Sequence, residues 1–286
     1  MKFAFIHAHR RRFGVAPLCK RLGVSQCGYY QWLKEPLGAR GRRDKELKPL
    51  VRRIFFDSKR IYGSPRVCAQ LRREGHLVSR KRIARLMREM GLWSIIKRKY
   101  KVTTNSRHNK PVAKNRLNRC FRPAGPNQVW VGDITFIPTD EGWLYLAVVL
   151  DLYSRKVIGW SMSAWIKSNL VRQALQAAIE QRETHAGLLF HSDQGIQYAS
   201  EAFQADLADY GMICSMSRKG NCYDNAVAES FFNSLKQEWL HHRRFRTRDE
   251  AQSSVFEYIE GFYNRHRLHS TLGYKSPEEY EMLLAN

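Results

Sequence analysis

The stretch QVWVGDITFIPT, residues 128–139, decides the fold of the second half of this 286-residue chain. Its Val, Ile, Phe and Thr residues are enriched in β-strands, so the stretch predicts a strand. Asp133 lies in the middle of it, and a buried charge is unfavourable unless a cation or a hydrogen-bond donor compensates it. This residue is therefore a candidate for chemistry.

Two further acidic residues stand in comparable surroundings. Asp193 follows the short apolar run GLLF, residues 187–190, which places it at the end of a buried strand. Glu229 falls in a segment predicted as a helix, because apolar residues recur there at three- and four-residue spacing. Those apolar residues are Ala228, Phe231, Phe232, Leu235 and Trp239. The three acids thus come from two strands and a helix, and they can converge at one edge of a sheet.

Three converging carboxylates are the ligands that a pair of Mg²⁺ or Mn²⁺ ions needs. Hard cations prefer oxygen ligands, and Mg²⁺ is commonly held by a few carboxylates together with water and substrate phosphates. Two ions about 3.5–4 Å apart clamp the attacking and leaving oxygens of a phosphoryl displacement. We therefore predict that Asp133, Asp193 and Glu229 are catalytic and that they hold two divalent ions.

The spacing of these residues resembles a known family. With 35 residues between Asp193 and Glu229, the pattern is similar to the D, D-35-E core of retroviral integrases and related transposases. The phrases WVGDIT (130–135), HSDQG (191–195) and DNAVAESFFNSLK (224–236) resemble the second-frame product of insertion sequence family three transposases, and the resemblance covers nearly the whole chain. It implies an α/β fold with a ribonuclease H-like catalytic core, a mixed five-stranded sheet flanked by helices, preceded by all-α helix-turn-helix units.

The resemblance also implies an activity. A DNA transposase of this kind cleaves the ends of an insertion sequence and transfers the strands to a target, with Mg²⁺ or Mn²⁺ as cofactor. Lys236, two helical turns after Glu229, is expected to hold a DNA phosphate near the ions. The implied partners are element-end and target DNA, further copies of the chain on that DNA, and the first-frame protein of the same element. Because the chain begins at Met1 without that first-frame portion, we expect the second-frame product alone.

Two alternative functions stay open. A noncatalytic DNA-binding regulator would compete for the element ends without any metal-dependent cleavage. A ribonuclease H-like nuclease acting on RNA hybrids would share the metal site, although two DNA-binding units in front of the core argue against it.

Other residues near the three acids have less distinctive surroundings. A single Asp is more often a cap or a surface charge than a ligand, so we assign Asp151 to a turn and Asp224 to a helix cap. His191 and Gln194, which flank Asp193, are expected either to touch DNA or to orient that acid.

Charge is divided unevenly along the chain. The formal net charge is +23, but residues 1–125 hold 34 Lys and Arg against 6 Asp and Glu, whereas the remainder holds 15 against 20. A basic first half favours a polyanionic partner, and an acidic second half suits a metal–carboxylate site. No apolar segment approaches the length of a membrane span, so nucleic acid is a better partner than a membrane.

Two helix-turn-helix units are predicted in the basic half. In residues 14–34, Gly23 makes a turn and Ser25 caps the second helix, which leaves Gln26 and Gln31 free to meet DNA. A plain helical hairpin without DNA contacts is an equal alternative.

The second unit is clearer. Ser64 is predicted to cap one helix, with Pro65 in its first turn, and Ser79 caps the next. The apolar stripe of that helix contains Ile83, Leu86, Met87 and Met90, and its basic face contains Lys81, Arg85 and Arg88. A charged helix face usually contacts only water. Because this face belongs to the strongly basic half of the chain, we predict that it contacts DNA phosphates.

These features divide the chain into five segments. They are a helix-turn-helix (1–37), a second such unit (38–96), a basic linker (97–127), the catalytic core (128–240) and a C-terminal helical extension (241–286). Residues 38–48 are also predicted as a basic linker, and we expect the 97–127 linker to order only on DNA. In the extension, Arg267 and His269 belong to a stretch that resembles the family's closing signature, and they either contact DNA or brace the fold.

The six cysteines are scattered and include no C-x-x-C pair. This favours reduced thiols in a cytoplasmic protein, which the resemblance places on the bacterial nucleoid. His7, His9, Cys19 and Cys27 do not have the spacing of the amino-terminal zinc module of retroviral integrases, so we expect no structural zinc.

Overall fold

The computed structural model describes residues 1–35, 38–95, 111–218 and 222–284. The chain forms two compact units, Met1–Ser94 and Ile95–Asn286, and each is described by itself. The described part of the front unit is helical. Its helices are α1 (Lys2–Phe13), α2 (Val15–Leu22), α3 (Gln26–Lys34), α4 (Ala39–Asp57), α5 (Ser64–Arg73) and α6 (Arg80–Glu89).

Helices α2 and α3 lie where the first helix-turn-helix is predicted. Gly23 has a left-handed backbone with φ of 60°, which ends α2, and Ser25 Oγ accepts a hydrogen bond from the Gly28 amide at 3.0 Å, which caps α3. Tyr29 of α3 and Cys19 of α2 are buried against Ile6 of α1. The helix-turn-helix therefore shares its small core with the helix that precedes it.

Helices α5 and α6 form the second predicted unit. Ser79 Oγ accepts a hydrogen bond from the Arg82 amide at 3.3 Å and caps α6, as predicted. The residues of the α6 stripe that are buried are Ile83, Leu86 and Met87. The predicted Ser64 cap is wrong, because Gly63 occupies the N-cap of α5 and Ser64 lies in its first turn.

The predicted basic linker at residues 38–48 is also wrong, because most of these residues begin α4. Leu47, Val51, Ile54 and Phe55 recur at helical spacing and are buried. The preceding turns carry basic side chains that face solvent, so the start of the helix lacks the apolar pattern by which a helix is predicted.

The second unit contains the predicted mixed five-stranded sheet. Its strands are β1 (Val129–Thr139), β2 (Gly142–Asp151), β3 (Val157–Ser163), β4 (Leu189–Ser192) and β5 (Ile213–Met216). Their spatial order is β3-β2-β1-β4-β5. The first three strands form an antiparallel meander, and β4 is parallel to both β1 and β5. This is the ribonuclease H-like arrangement that the family resemblance implied.

Helices α7 (Ser168–Gln181) and α8 (Glu201–Asp209) share one apolar core with the sheet. Leu175 of α7, Phe203 of α8 and Trp130 of β1 are fully or almost fully buried in it. Gly159 of β3 allows α7 to approach, since an added Cβ would lie 2.3 Å from the carbonyl oxygen of Ala174. The close helix–sheet contact therefore depends on a residue without a side chain.

The remaining helices follow the last strand. They are α9 (Ala226–Glu238), α10 (Arg248–Phe256), a π-helical stretch (Glu257–Tyr263) and α11 (Pro277–Met282). Both α9 and α10 contact β1. Asn225 occupies the N-cap of α9, but its side chain forms no capping hydrogen bond there.

Part of the predicted linker packs on the second unit. The Ser215 hydroxyl of β5 accepts hydrogen bonds from the Arg116 amide at 2.9 Å and the Leu117 amide at 3.2 Å. The Leu117 side chain is buried. The expectation that the linker orders only on DNA is therefore wrong for residues 111–127, while residues 97–110 lie outside the described residues.

Candidate active site

The strand register brings Asp133 and Asp193 to the same level of the sheet. In the parallel β1–β4 pair, Val131 lies opposite His191. Asp133 stands two residues further along β1, and Asp193 is the first residue after the end of β4. Neighbouring strands are about 4.8 Å apart. Asp133 is only 8% exposed, and its Oδ1 accepts a hydrogen bond from the Ile134 amide at 2.8 Å. Asp193 therefore leaves the sheet next to the strand that carries Asp133.

Helix α9 brings Glu229 to the same place. The predicted stripe is confirmed, since Ala228, Phe231, Phe232 and Leu235 are buried. Glu229 itself is partly buried in the first turn of the helix, where the positive end of the helix dipole favours a carboxylate. Packing of α9 on β1 then carries Glu229 towards Asp133.

The pKa of Asp133 depends on the charged groups near it. Burial raises the pKa of the Asp133 carboxyl well above its ordinary value, and the charges of Asp193 and Glu229 raise it further. The Ile134 amide and the Lys236 ammonium act in the opposite direction, and their effect is smaller. Asp133 thus lies close enough to Asp193, Glu229 and Lys236 for their charges to affect its pKa.

Lys236 has a second contact. Its Nζ lies 4.9 Å from the centre of the Phe136 ring, in a cation–π arrangement. Burial lowers the pKa of this amine, whereas the charge of Asp133 raises it. The ammonium therefore lies beside Asp133, between an aromatic ring of β1 and the helix α9 that carries it.

The donor set fits a divalent cation. Across the described ranges, no three His, Cys, Asp or Glu side chains already surround one metal position. Repulsion between ionised carboxylates keeps such side chains apart, because each negative charge opposes ionisation of the next. A buried Asp133 that faces two further acids needs either a proton or a cation, and oxygen donors of this type are the ones that Mg²⁺ and Mn²⁺ prefer.

Replacing the central acid is expected to stabilise the metal-free protein. Because the folded state raises the pKa of Asp133, it retains a proton that the unfolded chain releases, and stability falls as pH rises from the unfolded value through the folded one. Asp133→Asn removes that penalty. At pH 7 in EDTA we expect a higher melting temperature for Asp133→Asn, and a larger stabilisation by Mn²⁺ for the unmodified chain, both measured by differential scanning fluorimetry.

The exposed acid Asp209 provides the matched control. Asp209→Asn should melt like the unmodified chain and respond equally to Mn²⁺. A melting temperature of Asp133→Asn below that of both proteins in EDTA would contradict the account of Asp133.

Two other carboxylates near the site have structural partners. Asp151 accepts hydrogen bonds from the amides of Asn127 at 2.7 Å and Tyr153 at 2.8 Å, which is the predicted role in a turn. Asp224 does not cap α9. Instead it accepts hydrogen bonds from Arg119 Nε at 2.8 Å and Asn115 Nδ2 at 2.9 Å, and so ties the 111–127 segment to the loop before α9.

The structure excludes DNA contact for His191, because its side chain is completely buried. The Ser215 hydroxyl, which accepts two amide N–H groups, donates its hydrogen to His191 Nδ1 at 2.9 Å. Burial lowers the pKa of His191 to about 4, so the ring is neutral at pH 7. Gln194 donates through Nε2 to the Ser217 carbonyl at 2.8 Å. Both residues thus join β4 to β5.

Sequence reasoning missed two residues behind the acids. Gly132 has no Cβ, and one placed there would lie 2.6 Å from Phe190 Cζ and 3.3 Å from Tyr198 Cε1. The buried Tyr198 has a raised pKa through burial and through the charges of Asp133 and Asp193. A glycine inside a strand signals such a close approach, so Gly132 was detectable from sequence. Tyr198 gave no such signal.

The predicted DNA-contacting residues of the front unit differ in their availability. Gln26, Gln31, Lys81 and Arg88 are exposed. Arg85 instead forms ion pairs with Asp44 at 2.7 Å and with Glu89 at 2.5 Å. Its guanidinium is therefore engaged within the unit.

Family models match both parts of the chain. A model described as Integrase core domain matches residues 123–222, and another with the same description matches residues 210–277. An HTH-like domain model matches residues 42–100. Together with the mixed sheet and its cluster of acids, these matches define an integrase-core protein with a helix-turn-helix-like module in front.

Curated relatives identify the family. The chain is 42% identical, over 98% of its length and 98% of the relative's, to the transposase InsF for insertion sequence IS3A of Escherichia coli (strain K12). It is 44% identical, over 94% of its length and 100% of the relative's, to an insertion element IS600 uncharacterized 31 kDa protein of Shigella sonnei. The chain belongs to the family of insertion sequence IS3 transposases.

Solved structures show more distant likenesses. The simian T-cell lymphotropic virus intasome in complex with PP2A regulatory subunit B56 gamma contains a chain that is 17% identical, with a TM-score of 0.48 over 77% of this chain and 70% of that one. The HTLV-2 integrase catalytic core domain in complex with magnesium is 20% identical, with a TM-score of 0.44 over 56% of this chain and 99% of that one.

None of the helices within the described residues combines the length and the apolar character that crossing a membrane requires.

Proposed function

We propose that the chain catalyses Mg²⁺- or Mn²⁺-dependent DNA strand cleavage and strand transfer at the ends of an insertion sequence. The observation that carries the proposal is the buried Asp133 of β1, whose pKa is affected by the charges of Asp193, Glu229 and Lys236. Membership of a transposase family supports it, and the basic front half suits a DNA partner.

In this proposal, the three acids hold two ions between them. Asp133 and Asp193 would hold one ion, and Asp133 with Glu229 the second. Bound there, the two ions would activate water or a DNA 3′-hydroxyl and stabilise the leaving 3′-oxygen. Lys236, beside Asp133, would pair with a phosphate of the bound strand and fix its position.

Cleavage and transfer are then one displacement with two nucleophiles. In cleavage, a water oxygen bonds to phosphorus and the bond to the 3′-oxygen breaks, which leaves a 3′-hydroxyl. In transfer, that hydroxyl attacks a target phosphodiester and displaces its 3′-oxygen. Neither step needs a covalent bond between protein and DNA, so no Ser or Tyr nucleophile is required.

The front unit would bind the element ends. Lys81 and Arg88 are exposed on α6 and suit phosphates, whereas Gln26 and Gln31 are exposed on α3 and suit base edges. Arg85 would reach DNA only after releasing Asp44 and Glu89. The functional assembly would contain several copies of the chain on bacterial DNA, together with the first-frame protein of the same element.

The test compares strand cleavage by three proteins. Duplexes carrying the ends of the encoding element are incubated with the purified chain, Asp193→Asn or the surface control Asp209→Asn, in Mg²⁺ or Mn²⁺. We expect metal-dependent nicking by the unmodified chain and by Asp209→Asn, and none by Asp193→Asn.

Two results would overturn the proposal. Equal nicking by all three proteins would show that Asp193 is not catalytic. Specific binding of the ends without nicking by any of them, with the first-frame protein also supplied, would favour a noncatalytic regulator.

A further inference from the structure

Three large apolar side chains are exposed on two loops beside the acids. Trp165 is 70% exposed and Ile166 is 44% exposed, both in the loop after β3, and Ile196 is 48% exposed in the loop after β4. Strand β2 is antiparallel to both β1 and β3, and β1 is parallel to β4, so β1, β3 and β4 run in one direction. Strands β3 and β4 therefore end on the same side of the sheet, and both loops begin there, on the side where Asp193 follows β4.

Hydrogen bonds hold the first loop in shape. The Trp165 amide donates to Ser163 Oγ at 3.1 Å, and the Lys167 amide donates to the Trp165 carbonyl at 3.1 Å. These two hydrogen bonds define a tight turn of the backbone around Trp165. The indole is therefore presented to solvent by an ordered backbone, which limits the entropy lost when it binds something.

The second loop joins this turn to Asp193. The Gly195 amide donates to Asp193 Oδ1 at 2.9 Å, and Ile196 is the next residue. Gln197 Nε2 then donates to the Ile166 carbonyl at 3.3 Å. A short series of hydrogen bonds thus connects the acid with the loop that carries Trp165, so the position of the indole is coupled to that of the site.

We propose that Trp165, Ile166 and Ile196 form a stacking surface for a DNA base next to the phosphate on which the acids act, with Trp165 stacked on that base after it leaves its pair. The inference rests on the function proposed above. Every base offers a flat π-face to an indole, and such stacking is sequence-tolerant. Lys167, which follows the pair on the same loop and is exposed, suits the neighbouring phosphate.

A nucleobase fits this surface better than a protein partner does. Three side chains on two loops form a small patch, whereas stable protein interfaces bury about 800 Å² on each side. The patch also adjoins the acids through Asp193 and Gly195, so a strand bound at the acids would pass its bases over it.

The test uses Trp165→Ala, the conservative Trp165→Phe and the control Tyr210→Ala, which removes an exposed aromatic ring elsewhere on the same unit. End duplexes carry 2-aminopurine beside the cleaved phosphate, either fully paired or mismatched at that base. On paired DNA in Mn²⁺ we expect Trp165→Ala to nick about 10- to 100-fold more slowly, since stacking contributes that much per base. Mismatched DNA should restore most of the rate, and Trp165→Phe should lie between.

The fluorescence of 2-aminopurine tests the stacking surface separately from the proposed function, because a change in this signal requires no cleavage. Binding of the unmodified chain should change the 2-aminopurine signal, and Trp165→Ala should lose that change while Tyr210→Ala keeps it. Absence of nicking by the unmodified chain would count against the proposed function alone. Equal rates and equal signals for Trp165→Ala and the unmodified chain would overturn the stacking surface. So would an equal loss of rate on paired and mismatched DNA accompanied by loss of self-association, which would assign the patch to contacts between copies.

Discussion

Glu229→Gln is expected to abolish cleavage and strand transfer together. The substitution keeps the size and shape of the side chain but removes the charge that faces Asp133 from α9. Loss of groups that only orient metal ligands already lowers metal affinity or activity about 10- to 100-fold, so loss of a ligand should lower both rates by more than about 100-fold.

The two rates are measured on separate substrates. Nicking is followed on intact end duplexes, and transfer is followed on ends that already carry a free 3′-hydroxyl, each in Mg²⁺ and Mn²⁺. The control is Glu180→Gln, an exposed glutamate on α7, which should react like the unmodified chain. Because one pair of ions would serve both displacements, strand transfer that survives the loss of cleavage in Glu229→Gln would contradict the mechanism.

Arg267→Ala should destabilise the second unit by about 3–5 kcal/mol, since it leaves a buried carboxylate without its cation. Arg267 donates to both oxygens of Glu238 at 2.7 Å, through Nε and Nη2, and both residues are almost fully buried. Nη2 also donates to Ser234 at 2.9 Å, and Tyr258 donates to Glu238 at 3.1 Å. These contacts decide between the two roles that the sequence left open, because Arg267 braces the fold.

The measurement is urea unfolding followed by circular dichroism and tryptophan fluorescence. Arg265→Ala is the control, since Arg265 is a largely exposed residue whose ion pair with Glu278 is long, at 4.0 Å. It should change stability by no more than about 0.5 kcal/mol. An Arg267→Ala protein as stable as Arg265→Ala would show that the buried pair does not hold α9 in place.

Local patterns explain why much of the fold was predictable. The β-forming residues around Asp133, the stripe at Ala228, Phe231 and Leu235, and the caps at Ser25 and Ser79 each depend on neighbours within a few residues. Such signals survive in the sequence because they record backbone geometry and one buried face. The strands and the helix that carry the three acids followed from them.

Long-range pairs explain the failed prediction for residues 111–127. His191 meets Ser215, and Ser215 meets the amides of Arg116 and Leu117, about a hundred residues away along the chain. Nothing in the polar composition of residues 111–127 records that contact, so the segment was taken for a linker. The pairing of Arg267 with Glu238 could not be predicted for the same reason. Periodicity indicates that one face of a helix is buried, but it does not indicate which side chain packs against that face.

In the mechanism that we propose, two divalent ions share Asp133, and one is also held by Asp193 and the other by Glu229. Anomalous scattering from Mn²⁺ in crystals of the chain with its end DNA measures this directly. We expect two peaks, each within coordination distance of a carboxylate oxygen of Asp133, and loss of the corresponding peak in Asp193→Asn or Glu229→Gln. Ions bound away from Asp133 in a complex that still cleaves DNA would contradict it.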